Sequence, residues 1–292
     1  MDNNKVAVIG AGLMGSGIAQ ACAQAGYDVV NIDTFASAVE KAKANIRKLF
    51  DKKVAKGSMT EEKKAEILGR LTYSGSFEEV KDAFRVVEAV PEKIEIKKDT
   101  FRKVDALADP DTVIVSNTSG LSISEIASVT NRPQKVMGAH FFYPAPVMKL
   151  LELVRGLTTS EDTYQIVKRF AAKLGKTTVD APEFPGFMVN RILVPMQNEA
   201  AFMVMEGSSP EDVDNAMKLG CNHPMGPIEL TDFVGIDTML ATMTGLYHGF
   251  HDSKYRPCPL LETMVKSGML GKKTGQGFYK YDEKGNKIGS NF

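Results

Sequence analysis

The turn Gly10-Ala-Gly-Leu-Met-Gly15 constrains this chain more than any other feature. It follows directly on Lys5-Val-Ala-Val-Ile9, a β-branched run of the kind that forms a strand buried on both faces. It leads into Ile18-Ala-Gln-Ala-Cys-Ala-Gln-Ala25, an alanine-rich helical stretch capped by Gly26. Tyr27-Asp-Val-Val-Asn-Ile-Asp33 then reads as a second strand ending in an acid. In such a unit Gly10 permits the tight turn, Gly12 lets backbone approach a pyrophosphate, and Gly15 lets the helix pack close to the strand. Leu13 and Met14 fall at the helix start that would face the phosphates. Asp33 stands about 20 residues on, where a carboxylate accepts from both ribose hydroxyls and repels a 2′-phosphate. Thr34, rather than an arginine, follows it. The combination points to NAD rather than NADP. A purely structural glycine turn would leave Asp33 without a purpose.

Strand-like runs recur downstream: Leu71–Ser74, Phe84–Glu88, Thr112–Ser116, Lys135–His140 and Leu150–Val154. Helical stretches separate many of them, for instance Lys93 to Leu107. This alternation predicts an α/β fold of the Rossmann type, with a doubly wound parallel sheet. Ligands of such sheets bind beyond the C-terminal ends of the strands. Glu88, Ser116 to Ser119 and His140 all fall at those ends and form one candidate site. Between the second and third strands lies a charged helical hairpin, residues 36–70. There Thr60 precedes Glu61 and Glu62 as an N-cap, and Lys52 and Lys56 share one helical face. A solvated surface accounts for that hairpin as well as contact with a phosphate-bearing ligand does.

Two prolines and a glycine in Ala181-Pro-Glu-Phe-Pro-Gly186 mark a boundary. Residues 1–184 are expected to form the nucleotide-binding domain and residues 185–292 an all-α second domain that also serves dimerisation. Its helices are read at Phe187–Glu206, Pro210–Leu219 and Ile228–Phe250. The first is apolar almost all round and is expected to be buried. Methionines such as Met196, Met203 and Met205 read as core filler. The glycine-rich stretch Gly271–Tyr279 reads as a closing loop.

The 36 basic residues balance 36 acidic ones, so no general attraction to nucleic acid or an anionic membrane is expected. Cys22, Cys221 and Cys258 match no disulfide or zinc spacing, and no metal is expected. The start of the chain lacks a cleavable apolar stretch, and no apolar run approaches the ~18 residues of a membrane span. A cytoplasmic enzyme is the expectation.

His140 offers an imidazole, and Glu152 a carboxylate twelve residues later at the end of an apolar run. Two prolines between them impose a turn that would let the side chains meet. Such a pair can transfer a proton near neutral pH. A structural histidine beside a loop is the other reading. His223, His248 and His251 read as turn or helix-end residues.

The motifs taken together are Gly10-Ala-Gly-Leu-Met-Gly-Ser-Gly-Ile-Ala-Gln20, Ser116-Asn-Thr-Ser119, His140-Phe-Phe, Pro144-Ala-Pro-Val-Met-Lys149, Pro185-Gly-Phe-Met-Val-Asn-Arg191, His223-Pro-Met-Gly-Pro227 and Gly271-Lys-Lys-Thr-Gly-Gln-Gly-Phe-Tyr279. Over essentially its whole length the chain resembles the (S)-3-hydroxyacyl-CoA dehydrogenases, in particular the bacterial 3-hydroxybutyryl-CoA dehydrogenases. The resemblance implies that His140 takes the 3-hydroxyl proton and that Glu152 orients its ring. It implies that Ser119 and Asn190 hydrogen-bond the reacting oxygens, and that Asp33, Glu92, Lys97 and Asn117 contact NAD. Lys52 and Lys56 would meet the CoA moiety of an acyl-CoA substrate, and a homodimer or higher homo-oligomer is expected. Gly120 and Tyr143 depart from the family, which usually has serine and asparagine there.

Two other functions are compatible with the glycine turn. A β-hydroxyacid dehydrogenase acting on a free acid typically carries a catalytic lysine on the helix after the boundary, but no lysine occurs between Phe187 and Glu206. A non-catalytic NAD-binding protein would have no need of His140, Glu152, Ser119 and Asn190.

Overall fold

The computed structural model describes residues 4–292, so the reading of the first three residues lies outside it. The chain divides into two compact units, one ending at Glu183 and one spanning Phe184–Phe292.

The first unit runs β1 (Lys5–Ile9), α1 (Leu13–Gln24), β2 (Asp28–Ile32), α2 (Ala36–Ala55), α3 (Glu61–Gly69), β3 (Leu71–Ser74), β4 (Arg85–Glu88), α4 (Ile94–Leu107), β5 (Val113–Ser116), α5 (Ile123–Ala127), β6 (Val136–Phe141), β7 (Leu150–Val154), α6 (Glu161–Lys173) and β8 (Thr177–Ala181). The strands form a single sheet in the order β3-β2-β1-β4-β5-β6-β7-β8. This is the doubly wound architecture that the alternation predicts. The β-branched strands supply the core: Val6, Val8, Val87, Val115 and Leu153 pack with Ile18, Cys22 and Phe50. Thr60 caps α3 as expected, its hydroxyl accepting from Lys63 N–H.

The sheet departs from all-parallel pairing at β7, which runs antiparallel to β6. Only residues 142–149 join the two strands, too few for a parallel crossover, which takes a dozen or more. The Lys176 ammonium donates to the carbonyls of Ala145 and Met148 and holds this connection in shape. Strand β8, absent from the sequence reading, is a partly exposed edge whose polar Thr-Thr-Val-Asp pattern carries little hydrophobic signal.

The second unit comprises α7 (Val189–Met205), α8 (Pro210–Gly220), α9 (Pro227–Val234), α10 (Ile236–Phe250), α11 (Pro259–Lys266) and a short antiparallel pair, β9 (Tyr279–Tyr281) and β10 (Lys287–Ser290). It is mainly helical, as expected, but the hairpin means it is not purely so. Strands of three and four residues are too short to show periodicity. The helix read over Ile228–Phe250 is broken at Gly235, whose φ of 105° is closed to ordinary L-residues. Helix α7 is not buried all round: Ile192, Met203 and Met205 are exposed within this unit, so those two methionines are not core filler. Met239, Met243 and Met264 do fill its core. His251 ends α10 in the left-handed conformation, a helix-end role as expected.

The buried Asp232 fastens the tail. Its carboxylate accepts from the N–H groups of Phe278 and Tyr279 and from the Tyr281 hydroxyl. Burial pushes this carboxyl up to about 6, against the lowering effect of those hydrogen bonds. Asp214 does the same for α9, accepting from the N–H groups of Ile228 and Glu229 and from the Tyr279 hydroxyl.

Candidate active site

The antiparallel register sets His140 directly opposite Glu152. Side chains of such a cross-strand pair lie on the same face of the sheet. The imidazole Nδ1 is 2.7 Å from a carboxylate oxygen of Glu152. Both residues are buried, and the ring of Phe142 lies 4.5 Å from the imidazole, centre to centre. A carboxylate is acceptor-only, so Nδ1 carries the proton in this contact and Nε2 is the ring's basic nitrogen.

The strands beside β6 end in a connected set of charges. Glu88, at the end of β4, and Lys97, on α4, are both fully buried and form an ion pair of 2.7 Å. The Lys97 ammonium also forms an ion pair with Glu92 at 3.2 Å and donates to the Val90 carbonyl at 3.3 Å. One Glu92 oxygen accepts from Thr118 Oγ1 at 2.6 Å, Ser119 N at 2.7 Å and Ser119 Oγ at 3.0 Å. Burial pushes the Glu92 carboxyl up, but Lys97 and the donors of Thr118 and Ser119 outweigh it and hold the group below its ordinary value. Asn117 accepts from Phe141 N at 2.9 Å, tying this segment to the strand of His140. Its amide nitrogen remains available to donate.

At the glycine turn, Gly10 takes a φ of 101°, and a Cβ there would strike the Ala89 carbonyl. A Cβ on Gly15 would collide with the Gly10 carbonyl. Gly12 is different: apart from its chain neighbours, a Cβ there would meet no atom of the described residues within 4 Å. The protein itself does not require glycine at this position; a ligand lying against the turn would. Gly12 is also the N-cap of α1 with no side chain satisfying the helix N–H groups, and Leu13 is exposed beside it. Such an end receives an anion. Asp33, just past β2, accepts from Ala11 N at 2.8 Å and Phe35 N at 2.9 Å, one on each oxygen, leaving lone pairs for further donors. These residues fit the pyrophosphate and adenosine ribose of NAD.

The structure thus brings together His140 and Glu152, joins Ser119, Glu92 and Lys97 in one network, and links Asn117 to the strand of His140. Lys52 on α2 and Lys56 at its C-terminus are exposed, and neither pairs with an acid among the described residues. Asn190 is the second residue of α7, in the other unit. Sequence reasoning placed Glu88 and Thr118 at the strand ends of the candidate site but gave neither a role of its own. An acid ending the apolar run Val86-Val87 was the available signal for Glu88, since a buried carboxylate demands partners. Thr118 carried none.

Comparison with known proteins places the chain in a family. Residues 5–184 match the 3-hydroxyacyl-CoA dehydrogenase NAD binding domain, and residues 186–281 match the 3-hydroxyacyl-CoA dehydrogenase C-terminal domain. The chain is 49% identical over 285 residues to the probable 3-hydroxybutyryl-CoA dehydrogenase of Bacillus subtilis, covering 97% of this chain and 99% of that one. It is 47% identical over 280 residues to the 3-hydroxybutyryl-CoA dehydrogenase of Clostridioides difficile, covering 96% of this chain and all of that one. The crystal structure of (S)-3-hydroxybutyryl-CoA dehydrogenase from Ralstonia eutropha superposes with a TM-score of 0.92 at 45% identity, over 97% of this chain and 100% of that one.

Proposed function

Because this chain belongs to the 3-hydroxyacyl-CoA dehydrogenase family, we propose that it interconverts (S)-3-hydroxybutyryl-CoA and acetoacetyl-CoA with NAD. The His140–Glu152 contact carries the reading. With Nδ1 donating to the carboxylate, Nε2 takes the 3-hydroxyl proton, and the imidazolium that results faces the negative charge of Glu152. Bound NAD would supply the hydride acceptor for the carbon that carries this hydroxyl. Ser119 and Asn190 hydrogen-bond the substrate oxygens and hold C3 in line. Glu92, Lys97 and Asn117 contact the cofactor at its reacting end, and Asp33 holds the adenosine ribose. Lys52 and Lys56, both exposed and unpaired with acids among the described residues, attract the phosphates of CoA.

The two named relatives and the matched structure act on the four-carbon thioester according to their names, which favours a short acyl chain here. Among the described residues no helix is long and apolar enough to cross a membrane. We place the enzyme in the cytoplasm and expect a homodimer formed through the helical unit, where Ile192, Met203 and Leu219 lie exposed.

The test is NADH consumption with acetoacetyl-CoA, comparing wild type with His140→Gln, and with free acetoacetate as a third arm. Turnover of the thioester that collapses in the variant supports the reading. Equal rates in the two proteins, or preference for the free acid, overturn it.

A further inference from the structure

We propose that Glu88 is a positioning residue of this active site: lying fully buried at the end of β4, it fixes the segment of Ser119 from two sides. One arm is direct. The Ser116 hydroxyl donates to Glu88 at 2.5 Å and itself accepts from Thr118 N at 3.2 Å, so the carboxylate sets the backbone one residue before Ser119. The other arm runs through charge. Glu88 holds the Lys97 ammonium at 2.7 Å, Lys97 holds Glu92 at 3.2 Å, and Glu92 receives both the N–H and the hydroxyl of Ser119. The Glu88 carbonyl closes the figure by accepting from Asn117 N at 2.8 Å.

Two carboxylates share one buried ammonium. An ammonium removed from water needs a counter-charge, and here its attraction is divided between Glu88 and Glu92. Neutralising Glu88 leaves Glu92 as the one charged partner of Lys97 among the described residues, beside the neutral Val90 carbonyl. Glu92 is then drawn toward the ammonium and away from Ser119. Glutamine at position 88 is isosteric, and its one acceptor oxygen can still receive Val90 N and Lys97, while its amide nitrogen donates to Ser116; what it removes is the negative charge facing the ammonium. The inference rests on the proposed contact between Ser119 and substrate, because only then does misplacing the hydroxyl slow turnover.

The expected result for Glu88→Gln is a fall in kcat for acetoacetyl-CoA of about ten- to a hundredfold, with KM for the thioester changed less than about twofold. Because Glu88 acts through Ser119, the double variant Glu88→Gln/Ser119→Ala should be no slower than Ser119→Ala alone. Crystal structures of wild type and Glu88→Gln should show the Ser119 hydroxyl leaving Glu92 in the variant. A fully additive double variant, or a lower melting temperature with unchanged kcat, overturns the proposal. So does a variant crystal structure in which Ser119 stays on Glu92. If Glu88→Gln does not fold, Ser116→Ala breaks the direct arm, and the same cycle with Ser119→Ala decides by the same criterion. Wild-type protein inactive on every acyl-CoA would refute the proposed reaction, whereas the crystallographic comparison would still decide whether Glu88 positions Ser119.

Discussion

His140 and Glu152 face each other across the antiparallel β6–β7 ladder, their ring nitrogen and carboxylate oxygen 2.7 Å apart. Antiparallel pairing at that point makes them neighbours on one face; a one-residue slip would send Glu152 to the other.

Replacing His140 with glutamine removes the base while leaving a polar side chain of similar size. The expected loss in kcat is about 10²–10⁴-fold, with melting temperature and NADH affinity near wild type. Glu152→Gln should cost less, since it keeps an acceptor for Nδ1 but loses the charge opposite the imidazolium. Stopped-flow NADH oxidation across the three proteins gives the order.

Gly12 and Gly15 should respond oppositely to alanine. Apart from its chain neighbours, Gly12→Ala meets no atom of the described residues, so its stability cost stays below about 1 kcal/mol, but the added methyl occupies the space of the pyrophosphate and weakens NADH binding. Gly15→Ala drives a methyl into the Gly10 carbonyl and should destabilise by about 1–3 kcal/mol. Urea unfolding with NADH fluorescence titration separates the two effects.

Asp33→Ala removes a charged acceptor and also releases Ala11 N and Phe35 N. Loss of a charge-assisted hydrogen bond of about 1.5–3 kcal/mol should raise the Kd for NADH roughly ten- to a hundredfold. The discrimination against NADPH should narrow, because the repulsion of a 2′-phosphate is gone. Parallel titrations with both cofactors check this.

Asp232 contributes to stability with an unusual sign for a carboxylate. Its folded-state value of about 6 lies above the ordinary 3.8, so the folded protein holds this proton more tightly than the unfolded chain. The contribution is fully present below about pH 4 and is lost as pH rises through about 6. Asp232→Asn cannot titrate there. Its stability relative to wild type should therefore improve between about pH 4 and pH 7, by up to about 3 kcal/mol. Chemical unfolding of both proteins at several pH values measures it; a constant difference would contradict the assignment.

Lys52→Ala and Lys56→Ala should raise KM for acetoacetyl-CoA, more so at low salt, and leave kcat and melting temperature unchanged. Equal KM values at low salt would remove these lysines from the CoA contact.

What the sequence alone determined was local. The strand-turn-helix at residues 5–25 is set by β-branching, by glycine's freedom at Gly10 and by an alanine-rich run. Asp33 follows from its distance along the same unit. His140 and Glu152 were visible as a possible pair because both sit at the edges of apolar runs. Tertiary structure decided the rest. The short connection between β6 and β7 made that one step of the sheet antiparallel and so chose the partner of His140. Burial gave Glu88 and Lys97 to one another, since charges withdrawn from water must find partners, and the more exposed Glu92 joins them from the rim; no spacing rule announces which. The break at Gly235 and the hairpin fastened to Asp232 likewise depend on contacts between residues far apart in the chain. Periodicity registers only near neighbours, whereas the site is assembled from strand ends that the sheet brings side by side.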